Sequence, residues 1–229
     1  MPIKKIIAFG SAKGGVGKSS ITASIALCLS KTKSVGVLDA DIYGPNQNIL
    51  FGISEKPSLN DNKSIRPIKK NNIEVISIGS ILDRDKAAAW RGPMLSGAIK
   101  QLINSTKWSD LDYLLIDMPP GTGDAYLTVF NEIKVNHFIL VTTPNELAIS
   151  DAKKTISLLE ILDIDILGYI SNNIFNSEDA LNKNYFFEKN IKNLGNFNFD
   201  KNIYNFDINY ESQDAADITA SIEQMYNNV

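Results

Sequence analysis

Short runs of consecutive apolar residues recur along the chain, and each is followed by a stretch of turn-forming residues and then by a longer segment of helical periodicity. Strands are predicted at Lys5 to Gly10, Val35 to Leu38, Glu74 to Ile78, Tyr113 to Ile116, Phe138 to Thr142 and Ile166 to Ile170. Each run is mostly apolar rather than alternating, the pattern of a strand buried on both faces. Helices are predicted at Ser20 to Ser30, with Ile21, Ile25, Cys28 and Leu29 apolar, at Met94 to Asn104, and at Glu146 to Leu162, with Ala148, Ala152, Ile156 and Leu159 along one face. This alternation implies an α/β fold, a mostly parallel central sheet with helices on both faces.

Elsewhere the pattern weakens. Between Tyr43 and Arg91, Gly, Pro and Asn are scattered among short apolar stretches, which predicts loops over one edge of the sheet. From Asn172 to Asn209 asparagine is abundant, yet Phe186, Phe187, Phe197, Phe199 and Phe206 supply enough aromatic surface for the segment to pack. Neither an internal repeat nor a long linker interrupts the chain, so residues 1–229 read as one domain.

The first strand runs into AKGGVGKSS, residues 12–20. Glycines at 14, 15 and 17 let backbone N–H groups turn inward around phosphate oxygens, Lys18 reaches the terminal phosphates and the Ser19 hydroxyl ligates magnesium. The nucleotide-contacting set is therefore Gly14, Gly15, Val16, Gly17, Lys18, Ser19 and Ser20. Ala12 stands where the general phosphate-loop pattern has glycine, which makes this a variant loop, and Lys13 adds a second lysine five positions ahead of Lys18.

Phosphoryl transfer also needs carboxylates to support magnesium and orient the attacking water. VGVLDAD places Asp39 and Asp41 at the carboxyl end of a predicted strand, where ligands of open α/β sheets collect; without the loop, the pair reads equally well as a turn initiator. YLLIDMPPGTGD delivers Asp117 from a buried strand towards the metal through a coordinated water, and the following PPGTGD loop is suited to sense the terminal phosphate.

With these segments placed, the chain resembles the Mrp family of ATP-binding iron-sulfur cluster carriers, within the partitioning-type P-loop ATPases that carry KGGVGKS. LDADIYGPN at 38–46, SIGS at 77–80, WRGPM at 90–94, LDYLLIDMPPGTGD at 111–124 and VTTPNELAISDA at 141–152 carry the likeness. The resemblance implies the P-loop NTPase fold, ATP and Mg2+ as cofactors, slow ATP hydrolysis, and a homodimer in which Lys13 reaches phosphates held by the other copy. It further implies that Asp41 orients the water, that Asp39 supports the magnesium shell and that Asn172 in YISNN contacts adenine. In WRGPM, Trp90 and Arg91 read either as a partner-facing patch or as a helix entrance held by Pro93.

One departure is chemical. Family carriers place a closely spaced cysteine pair after the adenine-contacting asparagine, and SNNIFNSEDALNKN contains none; Cys28 is the one cysteine of the sequence. The usual route of iron-sulfur cluster carriage lacks its thiolates here, and no internal disulfide can form. The amino-terminal extension of bacterial members is not seen, since the loop begins within a dozen residues of Met1.

Composition narrows the alternatives. Hydrophobic residues make up 44% and charged residues 21%, with net charge −3 and pI near 5.3. No apolar run is long enough to span a bilayer and the start carries no secretory leader pattern, so a cytoplasmic protein is expected. The acidic balance does not recommend nucleic acid, and lysine pairs such as Lys69-Lys70 and Lys153-Lys154 read as solvated surface. His137 lacks metal-ligand companions and reads as structural. A partitioning or positioning ATPase acting on DNA or a membrane surface is the alternative. It has little local support, because residues 211–229 hold no Lys or Arg where a membrane-binding helix would be basic. A phosphate-transferring or ligase-type enzyme on the same fold is a third class.

Overall fold

In the computed structural model the described residues are 3–59, 64–81, 92–173, 183–205 and 210–227. Among them an eight-stranded sheet forms the centre, in the order β10-β9-β8-β1-β7-β2-β6-β5. Its strands are β1 (Ile3–Gly10), β2 (Val35–Asp39), β5 (Ile68–Lys70), β6 (Ile73–Ser77), β7 (Leu111–Asp117), β8 (His137–Thr142), β9 (Ile166–Asn173) and β10 (Asn193–Asn198). β5 alone runs antiparallel to its neighbour, and a small hairpin of β3 (Ser58–Leu59) and β4 (Ile65–Arg66) stands apart.

Each central strand buries both faces, which is why the middle of its sequence reads as an apolar run. Ile7 and Phe9 of β1, with Tyr113 and Leu115 of β7, face one core; Ala8, with Leu114 and Ile116, faces the other. The first core is covered by α1 (Lys18–Leu29) and the terminal helix α8 (Gln213–Asn227) through Ile21, Ile25, Leu29, Ile218 and Ile222. The second is covered by α3 (Gly92–Ser105), α4 (Asp124–Glu132) and α5 (Glu146–Ile161) through Leu95, Ile99, Tyr126, Ile156 and Leu159. The α/β expectation is met, and the predicted strands and helices are present with ends shifted by a few residues.

The differences have physical causes. β10, sequence NLGNFN, was expected only to pack; it is an edge strand whose register against β9 shifts between Asn193 and Gly195, so its buried Leu194 and Phe197 lose strict alternation. β5 hides among lysines because an antiparallel edge strand has only one covered face. The 43–91 region holds, besides the expected β6, a short helix α2 (Gln47–Leu50) and the hairpin. Phe186 is buried and stacks on Tyr169 at 4.1 Å between ring centroids in α6 (Lys183–Glu188), whereas Phe187 and Phe199, the latter just before the short helix α7 (Lys201–Tyr204), are exposed. Phe206, Trp90 and Arg91 lie outside the described residues, while Pro93 sits in the first turn of α3. His137 is held by Tyr226 at 2.7 Å and Asp165 at 3.1 Å, in keeping with a structural role.

The sheet's register aims everything at one edge. Phe9 of β1 and Asp39 of β2 both pair with Asp117 of β7, so these three neighbouring strands end level with one another. Beyond their ends Met118 N–H donates to Phe9 O at 3.0 Å and Ala40 N–H to Asp117 O at 3.0 Å.

The last residue of β1 has no room for a side chain. A Cβ on Gly10 would lie 2.2 Å from the Phe138 ring and 2.6 Å from the Tyr126 hydroxyl. Gly10→Ala is therefore expected to destabilise the fold by about 1–3 kcal/mol through overpacking, measured by urea denaturation; unchanged stability would show that these rings move aside freely.

Candidate functional site

The loop between β1 and α1 is shaped by glycines at the two places where the backbone is left-handed, Gly15 with φ 80° and Gly17 with φ 82°. Gly17 is the residue before α1, and no side chain caps that helix end or places an acid in its first turn. The first N–H groups and the positive end of the helix dipole are thus left for an external anion. Gly14, Gly15 and Lys13 are exposed, Val16 is buried, and Ser19 and Ser20 are half-buried.

Lys18 opens α1 and is 6% exposed. Its Nζ forms an ion pair with Asp117 Oδ1 at the end of β7, itself fully buried. Lys13 behaves differently: no described residue pairs with its ammonium group, and only its carbonyl is engaged, accepting from Ser11 Oγ at 2.9 Å. Ser11 O in turn accepts from Gly121 N–H at 3.2 Å, which ties the PPGTGD segment to the phosphate loop; the Asp124 that ends this motif is the first residue of α4.

The carboxylates sit side by side. Asp39 is fully buried; its Oδ1 accepts from Asp41 N–H at 3.1 Å, and its Oδ2 accepts from Gln47 N–H at 3.1 Å and Ser77 Oγ at 2.9 Å. Burial above all, and then the charge of Asp117, pushes the Asp39 carboxyl well above the usual carboxylate range. Burial also raises Asp41, against the pull of Lys18. Asp41 Oδ1 accepts from Tyr43 and Gly44 N–H groups, both at 3.1 Å, which fixes its side chain at the turn after β2.

Gln47 joins these parts. Its Nε2 donates to Asp117 Oδ2 at 2.8 Å and to Ser19 O at 3.1 Å. The sequence alone assigns no role to Gln47, because its contacts bridge residues far apart in the chain, and none to Ser77, the first residue of the SIGS string.

A cavity of about 670 Å³ opens beside the loop, lined by Gly15, Gly17, Ser20, Asn172, Phe199 and Tyr204 among others. Asn172 is 7% exposed and its Nδ2 donates to Val16 O at 2.8 Å, bracing the loop against β9. A Cβ on Gly17 would lie 2.2 Å from that amide. The structure thus brings Lys18, Ser19, Asp39, Asp41 and Asp117 to one rim, places Asn172 on the cavity wall, and leaves Lys13 on the surface.

The residues fit a phosphate ligand: the glycine cradle is open, the helix end uncapped, and a lysine and a serine follow at the required spacing. Among the described residues no cluster of three or more His, Cys, Asp or Glu forms a ready metal cage. Magnesium does not require one, since it keeps several waters and takes one or two protein oxygens besides substrate phosphates. Ser19 fits as a direct oxygen donor, and the hydrogen-bonded Asp39 and Asp117 fit a role through bound water.

A parallel sheet with this loop, helix and carboxylate arrangement defines a P-loop NTPase. A family profile, ParA, described as NUBPL iron-transfer P-loop NTPase, matches residues 2–224, and the chain belongs to this family. Curated relatives named iron-sulfur cluster carrier protein include one from Pseudomonas fragi, 47% identical over 173 residues, and one from Escherichia coli strain K12, 45% identical over 172; each match takes in 74% of this chain. The matches cover 60% and 47% of those relatives, so the chain spans about half their length. The resemblance to Mrp-type carriers is thereby borne out. Among solved structures, a nucleotide-binding protein in complex with ADP from Archaeoglobus fulgidus superposes with TM-score 0.78 at 31% identity, over 93% of this chain and 90% of that one. The cell division ATPase MinD of Pyrococcus furiosus shares the fold, with TM-score 0.75 at 21% identity, over 97% and 100% of the two chains.

The two lysines are expected to separate cleanly in stability measurements. Lys18→Ala leaves the buried Asp117 carboxylate unpaired and should cost about 3–5 kcal/mol, whereas Lys13→Ala, at an exposed site, should change stability by no more than about 0.5 kcal/mol. Chemical denaturation of both variants without nucleotide checks this; equal losses would contradict the assigned environments.

Proposed function

We propose that this chain is a magnesium-dependent ATPase acting as a nucleotide-switched homodimer, in or descended from iron-sulfur cluster assembly, and working in the cytoplasm as one domain. The observation that carries the reading is the convergence of the glycine loop, Lys18, Asp39, Asp41 and Asp117 at the level ends of three adjacent strands, beside a cavity of about 670 Å³.

In this reading the N–H groups of residues 14–20 and Lys18 grip the phosphates, with Ser19 on the metal and Asp39 and Asp117 holding its waters. Magnesium, when bound, supplies charge neutralisation between the phosphates. Phosphate oxygens compete with Asp117 for the Lys18 ammonium, so nucleotide arrival is coupled to β7 and, through Gly121, to the PPGTGD segment. Asp41, raised by burial, orients the attacking water and accepts its proton. Asn172 and the aromatic wall receive the adenine.

Lys13 is assigned to the second copy's phosphates. It is exposed at the site rim and no described residue engages its charge, which supports a role outside its own chain. Exposed Tyr43 and Leu147, which follow β2 and β8 at the same edge, supply apolar surface for the contact. The membrane-positioning alternative is disfavoured, since the apolar residues Ala215, Ile218 and Ile222 of α8 are already buried in the core.

Light scattering of the protein with magnesium and a non-hydrolysable ATP analogue should show a dimer that Lys13→Ala prevents, and the same substitution should lower turnover by about 10²–10³-fold. A wild-type protein that remains monomeric with the analogue bound would refute the dimer. Anaerobic reconstitution with iron and sulfide is expected to leave little or no stable cluster, because the thiolate pair is missing; a stoichiometric coloured complex would overturn that expectation.

A further inference from the structure

Gln47 is enclosed, with no measurable exposure, yet it carries an amide where an apolar side chain of equal size would fill the space. Both partners of its Nε2, the Asp117 carboxylate and the Ser19 carbonyl, can only accept hydrogen bonds. This fixes the orientation of the amide, because the flipped form would set Oε1 against two other oxygens. In the fixed orientation Oε1 is buried and has no hydrogen-bond partner among the described residues.

A buried carbonyl left without a donor costs about 1–3 kcal/mol, and such groups in native proteins mark strain or function. None of the described residues donates to it: the Lys18 ammonium bonds Asp117, and Asp39 Oδ2 accepts from the backbone N–H of Gln47. What the position lacks is a donor. A water polarised by a divalent cation is a strong one, and Gln47 already touches Ser19, Asp39 and Asp117, the residues assigned to the magnesium side of the site.

We infer that Gln47 is a positioning residue for the metal-nucleotide complex: Oε1 accepts a hydrogen bond from a water carried by magnesium while Nε2 holds Asp117 in line. This rests on the magnesium-nucleotide reading above. α2, whose first residue is Gln47, thereby becomes an element whose placement responds to the metal and not to the nucleotide alone.

The test is fluorescent-ADP titration of the wild type, Gln47→Met and Gln47→Glu, each in EDTA and in excess magnesium, with circular dichroism as a folding control. The wild type should gain about tenfold or more in affinity from magnesium. Gln47→Met, which keeps the size and loses both amide bonds, should bind ADP in EDTA within about threefold of the wild type and lose most of the magnesium gain. Gln47→Glu adds a negative charge beside Asp117, so its binding in EDTA should weaken while its magnesium gain grows. A purely structural brace would move both variants in the same direction in both buffers. Parallel losses, or a full magnesium gain in Gln47→Met, overturn the inference; if Gln47→Met does not fold, a Gln47→Glu magnesium gain no larger than the wild type's does so. A wild type that binds no ADP in either buffer overturns the underlying reading, and this inference with it.

Discussion

The buried ion pair between Lys18 and Asp117 is the contact on which the site is built. Bringing β1, β7 and β2 to level ends sets Asp39 directly beside Asp117, two carboxylates with no access to solvent. Such an arrangement is unfavourable by itself. One cation inserted from the start of α1, together with N–H and O–H donors from Asp41, Gln47 and Ser77, makes it tolerable. The consequence is a charge cluster that is only partly compensated: Asp39 is held well above its ordinary range, chiefly by burial. A phosphate that draws Lys18 away, or a divalent cation that adds positive charge, changes the balance of the whole group. In the proposed reading, binding and conformational response therefore share one electrostatic origin.

The central fold was legible because a doubly covered parallel strand is apolar through its buried middle. Phe9, Ile116 and Leu140 announce it without any knowledge of their neighbours. The glycine loop was legible because its chemistry depends on local backbone geometry, which Gly15 and Gly17 encode directly. β10 was not, since an asparagine-rich edge strand with a register shift shows neither an apolar run nor clean alternation. Gln47 was not, for a different reason. Its meaning lies in contacts to Ser19 and Asp117, 28 and 70 positions away in the chain, and no spacing rule anticipates a side chain that closes such a gap. Asn172 fell between these cases: resemblance pointed to it, and the fold places it on the cavity wall while its amide braces Val16 O.

In the proposed reading, nucleotide chemistry and cluster carriage would draw on physically separate residues. Every residue of the phosphate site lies at the carboxyl edge of the sheet, and all the residue types assigned there are present. Cluster carriage needs thiolates, and Cys28 cannot stand in for the absent pair. It lies in the last turn of α1, about 15 Å along the axis from the loop at a rise of about 1.5 Å per residue, half-buried against the first core. Burial raises its thiol above the ordinary value and so disfavours the anionic form that binds metal. In the proposed reading a nucleotide switch does not depend on cluster ligands, because among the described residues no hydrogen bond or ion pair of the phosphate site passes through a cysteine.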